Sequence, residues 1–222
     1  MFRPLTSAVW FVLAFALGNE VSLAESITVP NASFETPPNF YVNINIDSWQ
    51  KVPKPAWYTN DESNGFSWNQ LIGAFKNTAA TSPDHIHNLD GNQAIWLFAV
   101  PEVSLFQDYN SIGGTNTATT HAFNALFEPG KSYRLATGVI GGGGGMLDTA
   151  TLEISLYYRD ANSNKVFVAA VTFTNSLANF PTTTNLVDCL LQVPTGNTGA
   201  AGTVQHSGIH FLSPVDFEHQ GA

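Results

Sequence analysis

The sequence predicts an all-β protein, an antiparallel β-sandwich with the jelly-roll arrangement of about eight or nine strands. Short runs of alternating apolar and polar residues recur along the chain, and Gly, Pro, Asn and Asp separate them. Charged residues make up only 11% of the chain, against a typical ~25%. Thr, Asn and Ser supply polar surface instead, which is typical of exported β-rich proteins.

The clearest predicted strands are 93–99, 104–108, 121–127, 132–140, 149–159, 166–174, 185–193 and 204–212. The stretch 39–81 is less regular and predicts short strands and long loops. In 149–159, apolar residues alternate with residues that we expect on a solvent-facing side, namely Thr151, Glu153, Ser155 and Tyr157. Residues 128–131 predict a type II turn with Pro129 and Gly130 at its centre, and residues 160–164 predict a hairpin turn. Such connections favour two packed antiparallel sheets.

The first 24 residues have the layout of a cleavable secretory signal. Arg3 precedes an apolar run from Ala8 to Leu17, and small residues stand at Ser22 and Ala24. The apolar run is well short of the ~20 residues that a membrane-spanning helix needs. We therefore expect cleavage near Glu25, a single domain over 25–222, and a location outside the cytoplasm, either extracellular or periplasmic.

Charge and cysteine content argue against two classes of function, nucleic-acid binding and catalysis by a cysteine nucleophile. The net charge is -9, so nucleic acid is an improbable partner, since a phosphate-binding protein needs a basic face. Cys189 is the only cysteine, which excludes an intramolecular disulfide. The pattern of 186–193 places Cys189 on the apolar face of a strand, as a core residue rather than a nucleophile.

The glycine run 141–145 does not predict a phosphate-binding loop. Such a loop needs Lys and then Ser or Thr after its last glycine, whereas Met146, Leu147 and Asp148 follow here. We expect a flexible connection between two strands.

Three segments together resemble a known superfamily: Val29–Glu35, Asp90–Ala94 and Glu128–Tyr133. Their order and spacing are similar to the galactose-binding-domain-like β-sandwich of secreted bacterial proteins, which includes many carbohydrate-binding modules. The resemblance covers roughly residues 26–212. Relatives usually close with a strand carrying an Asp-Asn-Val-like stretch, and this sequence ends at Ala222 without one, so the domain is expected to lack its last strand or to be a fragment.

The resemblance implies a structural Ca²⁺ ion near the first strand, with Glu35 and, less directly, Asp90 as ligands. Calcium takes six to eight oxygens from carboxylates, carbonyls and water, so an acidic residue in a turn suits it. The alternative for Glu35 is a carboxylate that caps backbone amides.

Aromatic and amide residues in 49–70 suggest a binding face for sugars, which stack on aromatic rings and bond to polar side chains. The predicted ligand-binding residues are Trp57, Tyr58, Trp68, Asn60 and Asn64. Trp49 and Trp96 are expected in the core.

His85 and His87 form the only other cluster of metal-ligand types. In a strand they would point to one side, which makes a zinc or copper site conceivable. No third ligand is fixed by spacing, and we prefer a surface loop here.

Catalysis finds little support in the sequence. A glycosidase needs two placed carboxylates, and neither Glu153 nor the pair Asp61 and Glu62 is nominated by spacing. No Gly-x-Ser-x-Gly or His-Glu-x-x-His motif occurs. The sequence thus predicts a non-catalytic exported carbohydrate-binding domain with a polysaccharide or glycan partner. A structural or adhesive surface protein and a jelly-roll glycosidase or lyase remain as alternatives.

Overall fold

The computed structural model describes residues 25–59, 66–108, 123, 125–141, 150–162, 164–193 and 205–212. The predicted signal 1–24, residues 142–145 of the glycine run, and the C-terminal residues 213–222 lie outside that range. Among the described residues, no helix is long and apolar enough to cross a membrane.

The regular elements of the described residues are strands and a short 3-10 turn at Trp68–Gln70. The strands are β1 (Val42–Asn43), β2 (Gln50–Lys51), β3 (Ile72–Lys76), β4 (Gln93–Leu97), β5 (Ser104–Gln107), β6 (Leu126–Phe127), β7 (Tyr133–Val139), β8 (Thr151–Arg159), β9 (Lys165–Thr174), β10 (Val187–Val193) and β11 (Gln205–Leu212). Each of the eight predicted segments overlaps one observed strand, β4 to β11 in order. The all-β prediction is confirmed.

The strands form one large and two small antiparallel sheets. The six-stranded sheet has the order β2-β5-β11-β8-β9, and β6 pairs with the other end of β11. The smaller sheets are β1-β3-β4 and β7-β10. Apart from β8 and β9, which a hairpin joins, neighbours in the large sheet are far apart in the chain, so most connections cross between sheets.

One hydrophobic core joins the large sheet to the smaller ones, as expected of a β-sandwich. Leu105, Ile154 and Ile209 of the large sheet belong to the same buried cluster as Ile72 of β3 and Cys189 of β10. Burial, together with the nearby charge of Asp188, raises the pKa of the Cys189 thiol to about 11. The prediction that Cys189 is a core residue is confirmed. Trp49 is also buried, as expected.

Both predicted turns form. The amide of Lys131 donates to the carbonyl of Glu128 at 3.2 Å, and Gly130 has a φ of 80°, as a type II turn requires at that position. In the hairpin after β8, the Asp160 carboxylate accepts hydrogen bonds from the amides of Asn162 and Asn164 at 2.9 and 2.8 Å.

The large sheet has a second face, opposite the core, and burial on this face corrects a prediction of the sequence analysis. Ser155 and Tyr157 are predicted to face solvent, yet both are fully buried. The reason is the cross-strand pairing: His210 of β11 lies between Ser155 on one side and Phe106 of β5 on the other. These neighbours cover the face that the pattern of β8 alone assigns to water.

A β-bulge in β9 decides which side chains join that face. Leu156 pairs with Ala169 and Tyr157 pairs with Phe167, which leaves Val168 as the extra residue. Strict alternation would place Phe167 on the core side with Ala169. The bulge moves Phe167 to the second face of the sheet.

Candidate functional site

The second face of the large sheet carries a group of polar and aromatic side chains, which we call the sheet-face cluster. Its members come from β5 and the residue after it, from β8, from β9 and from β11: Ser104, Phe106, Asp108, Ser155, Tyr157, Arg159, Lys165, Phe167 and His210. Most of them are buried, whereas Phe167 is 50% exposed. The cluster therefore reaches the surface at Phe167, on the edge strand.

Asp108 is the charged centre of the cluster. Its Oδ2 accepts a hydrogen bond from the Tyr157 hydroxyl at 2.5 Å and another from Arg159 Nε at 2.8 Å. The side chain of Asp108 is 1% exposed and that of Arg159 is 16% exposed. A carboxylate buried this deeply is tolerable because its charge is paired and hydrogen-bonded. Burial, followed by the hydrogen bond to Asp108, raises the pKa of the Tyr157 hydroxyl, so the phenol stays protonated as a donor.

Lys165 packs its ammonium group against aromatic rings. Its Nζ lies 3.5 Å from the ring centroid of Phe106 and 4.9 Å from that of Tyr157. A cation in this position is attracted by the negative faces of the rings. Burial, with the charge of Arg159 as a second cause, lowers the pKa of Lys165 to about 8. Lys165 can therefore exchange a proton close to neutral pH.

His210 lies among three aromatic rings. It stacks on Phe167 with the ring centroids 5.9 Å apart, and it meets Phe106 and Tyr157 edge-on at 6.3 and 6.2 Å. Burial, and then the charge of Lys165, lowers the pKa of His210 to about 3. The imidazole is consequently neutral at pH 7, with one nitrogen able to donate and the other to accept.

Buried polar atoms without hydrogen-bond partners concentrate in this cluster. Both ring nitrogens of His210 and the hydroxyl oxygens of Ser104 and Ser155 are buried and find no partner within the described part of the chain. Folded proteins leave few such atoms unpaired, because each costs about 1–3 kcal/mol. Water or a polar ligand is the expected partner at such a place.

The predicted aromatic residues lie in a separate group. Trp68 is 5% exposed, and its Nε1 donates to the Val52 carbonyl at 2.8 Å. Trp57 is 41% exposed and packs edge-on against Trp68 with the centroids 6.2 Å apart. Tyr58 packs on the same ring at 5.0 Å. The ligand-binding role of these rings stays a prediction, and Asn60 and Asn64 lie outside the described residues.

Glu35 lies beside the turn that contains Asp90, as the resemblance implies. Its Oε1 accepts hydrogen bonds from the amides of Asn92 and Gln93, both at 2.7 Å. Gly91 has a φ of 95°, and a Cβ at this residue would lie only 2.4 Å from that oxygen. Glu35 thus fastens the first turn to the start of β4.

Calcium at Glu35 and Asp90 fits this turn only in part. No group of three or more His, Cys, Asp or Glu side chains gathers anywhere in the described ranges. The Asn31 and Thr36 carbonyls nearby already accept hydrogen bonds from Trp49 Nε1 and the Asp47 amide. An ion here would need further backbone oxygens and water to complete its six to eight ligands.

A cavity of about 500 Å³ lies beside the loop that follows β3, and Lys76, His85 and His87 are among its lining residues. The segment 84–88 is irregular rather than a strand, in agreement with the surface loop that the sequence analysis prefers. None of the sheet-face cluster lines this cavity.

Sequence reasoning missed the sheet-face cluster. Three of its members lie in correctly predicted strands, on the sheet face opposite the core: Phe106, Tyr157 and His210. Large aromatic and ionisable residues repeated on the outer face of several strands are the signal that could have revealed it.

No protein-family profile matches the chain, and a search of curated proteins finds no similar sequence. Solved structures do match its fold. A cyclase from Fischerella sp. TAU in complex with 4-(1H-indol-3-yl)butan-2-one is 17% identical with a TM-score of 0.56, over 86% of this chain and 89% of that chain.

A Stig cyclase from the same organism, in complex with (3Z)-3-(1-methyl-2-pyrrolidinylidene)-3H-indole, is 18% identical with a TM-score of 0.55, over 86% and 89% of the two chains. An apo cyclase from Fischerella sp. is 17% identical with a TM-score of 0.51, over 85% and 87%. At this identity the similarity shows the fold.

These structures correct the predicted function. The chain was expected to be a non-catalytic carbohydrate-binding domain with a polysaccharide partner, and that prediction is wrong. The solved structures named above are cyclases, and the two with bound ligands hold small indole compounds. What they share with this chain is the β-rich sandwich.

Proposed function

We propose that this protein is an enzyme that binds a small, planar aromatic compound of the indole type at the sheet-face cluster and catalyses its cyclisation by proton transfer. The observation that carries the proposal is His210, a buried imidazole among three aromatic rings whose two nitrogens find no hydrogen-bond partner among the described residues. The similarity in fold to cyclases with indole ligands supports the substrate class.

The cluster supplies the two kinds of contact that an indole compound needs. Phe167 is 50% exposed and offers a ring to an aromatic ligand, and the buried ring of Tyr157 packs against it with the centroids 6.1 Å apart. His210 and the hydroxyls of Ser104 and Ser155 offer hydrogen bonds for its N–H or carbonyl group. Phe167, half exposed at the edge strand, is the side chain past which a ligand would enter.

The charged members suit an acid-catalysed ring closure. Lys165 holds a proton at pH 7 but has a pKa of only about 8, so it can give a proton to the substrate and take back a proton that the substrate releases as the ring closes. Such an isomerisation has no net proton change. The buried carboxylate of Asp108, together with the rings of Phe106 and Tyr157, would stabilise positive charge that develops on the substrate.

A binding experiment tests the proposal directly. Isothermal titration calorimetry with 4-(1H-indol-3-yl)butan-2-one should show saturable binding to the wild type. Phe106→Leu and His210→Ala should each weaken it at least tenfold. The matched control is Trp57→Leu, which removes a ring from the separate aromatic group and should leave the affinity unchanged. Absence of binding to a cooperatively folded protein, or loss of binding only in Trp57→Leu, would refute the assignment.

For the fold family, we infer a galactose-binding-domain-like sandwich with jelly-roll topology. Support comes from the non-sequential strand order of the large sheet and from the contact between Glu35 and the turn that contains Asp90. An experimental structure whose strand connections differ from those of a jelly roll would overturn this inference.

We also propose that the protein carries a structural Ca²⁺ held by Glu35 and Asp90.

We further propose that the protein is exported. The export proposal rests on the layout of residues 1–24. Expression of the full chain in a bacterial host, followed by N-terminal sequencing, should find a mature protein outside the cytoplasm that begins near Glu25. An uncleaved cytoplasmic product would exclude export.

A further inference from the structure

The loop that carries His85 and His87 is held in place from two sides. Asn77 donates from Nδ2 to the Ile86 carbonyl at 2.9 Å and accepts from the Ile86 amide at 3.0 Å. The His87 amide donates to the Thr184 carbonyl at 2.9 Å. Asn88 makes a similar pair of bonds with the backbone of Leu186. The loop is therefore a preorganised element.

For His85, a hydrogen bond shows which ring nitrogen is available to a metal ion. His85 Nδ1 lies 2.7 Å from the Thr78 carbonyl oxygen, which can only accept, so Nδ1 carries the proton. In the neutral imidazole, Nε2 of His85 is then the nitrogen with the available lone pair. A histidine that donates one N–H to a backbone carbonyl is the usual form of a metal ligand, because this bond fixes the tautomer and the ring orientation.

The distance between the two ring centroids allows the two imidazoles to share an ion. Their centroids are 5.3 Å apart, and the planes meet at 68°. A zinc–nitrogen bond of about 2.1 Å plus about 1.1 Å from the nitrogen to the ring centre places an ion about 3.2 Å from each centroid. Two imidazoles at the tetrahedral angle would then have centroids about 5.2 Å apart, close to the observed distance.

We propose that His85 and His87 bind a divalent transition metal ion of the copper and zinc class, at the wall of the 500 Å³ cavity. Imidazole suits these ions, and copper(II) should bind more tightly than zinc(II) by the usual affinity order. Two protein ligands leave the remaining coordination positions to water or to a small molecule in the cavity. The site is independent of the sheet-face cluster, none of whose residues lines the cavity.

Lys76 also lines the cavity and sharpens the test. Its positive charge opposes a cation and would attract an anion. Lys76→Met should therefore strengthen metal binding, whereas at a site for an anion such as inorganic phosphate it would weaken binding. Lys131→Met is the matched control, because it removes an exposed lysine from the turn before β7.

The experiment is a titration of the untagged protein with Cu²⁺ and with Zn²⁺ by calorimetry, together with pulsed electron paramagnetic resonance of the copper form. One saturable site with two coordinated imidazoles is expected. His87 is exposed, so His87→Ala should fold normally, lose at least tenfold in affinity and show one imidazole. His85→Ala should behave likewise.

Equal affinity in the wild type and in folded His87→Ala would overturn the proposal. So would binding of inorganic phosphate that Lys76→Met weakens in the absence of any metal binding. Neither result depends on indole binding at the sheet-face cluster.

Discussion

The hydroxyl of Tyr157 and the carboxylate of Asp108 form a buried hydrogen bond of 2.5 Å on the outer face of the large sheet. Arg159 Nε donates to the same carboxylate oxygen at 2.8 Å. A single oxygen therefore accepts hydrogen bonds from both a buried phenol and a guanidinium nitrogen. Removal of its charge affects two side chains at once.

We expect Asp108→Asn to destabilise the protein by about 3 kcal/mol, since breaking a buried ion pair leaves the other charge uncompensated. Tyr157→Phe should cost only about 1–2 kcal/mol, because it removes one neutral donor. Urea unfolding followed by tryptophan fluorescence measures both. Glu128→Gln, at an exposed turn, is the control and should be neutral. Similar losses for Asp108→Asn and for the control would contradict the paired arrangement.

His210 should make the protein sensitive to acid. Its pKa falls from 6.5 to about 3 on folding, so between these values the unfolded chain binds a proton that the folded chain does not. Stability contributed by this group is present above pH 6.5 and is lost as the pH falls toward 3. The variant His210→Leu lacks this titration, so its stability relative to the wild type should increase from pH 7 to pH 4.5. Denaturation curves at both pH values measure this, and parallel losses in the two proteins would refute it.

Gly91 and Gly130 allow backbone strain to be separated from steric conflict. Both have positive φ, 95° and 80°, so an alanine at either costs about 1 kcal/mol or more in backbone strain. Only at Gly91 would the added Cβ meet Glu35, because nothing lies within 4 Å of a Cβ at Gly130. If Glu35 moves away, two amide hydrogen bonds are lost, at about 1 kcal/mol each. Gly91→Ala should therefore lose about 2 kcal/mol more than Gly130→Ala, and equal losses would show that Glu35 yields without cost.

The calcium proposal can be separated from the amide contacts of Glu35. In Glu35→Gln the side-chain oxygen can still accept from Asn92 and Gln93, but the charge that an ion needs is gone. In a thermal melt, Ca²⁺ should raise the melting temperature of the wild type. The free energy of unfolding should increase by about 2.7 kcal/mol at a hundredfold excess of Ca²⁺ over the dissociation constant. Glu35→Gln should keep the stability of the calcium-free protein and lose the shift, whereas Glu35→Ala should lose both. No shift in the wild type would remove the calcium site.

The sequence was sufficient to predict the strands β4 to β11 but not the sheet-face cluster. Alternation within each segment correctly located β4 to β11, because that pattern reflects the core side of each strand. The other side depends on which strands become neighbours, and nothing in β8 alone shows that His210 will lie beside Ser155. The bulge at Val168 reverses the alternation within β9, so Lys165 and Phe167 fall on the face opposite to the one that counting by twos predicts. Longer-range pairing and single-residue irregularities therefore limited the prediction.

The position of β11 has a consequence for how the protein is made. This strand comes last among those described, yet it pairs with β5, β6 and β8 and so stands in the interior of the large sheet. While the chain is being synthesised, β5 and β8 have no strand between them until residues 205–212 arrive. Contacts between such distant segments close large loops and slow folding. The candidate catalytic face, with His210 on β11, is therefore assembled only after residues 205–212 have been synthesised.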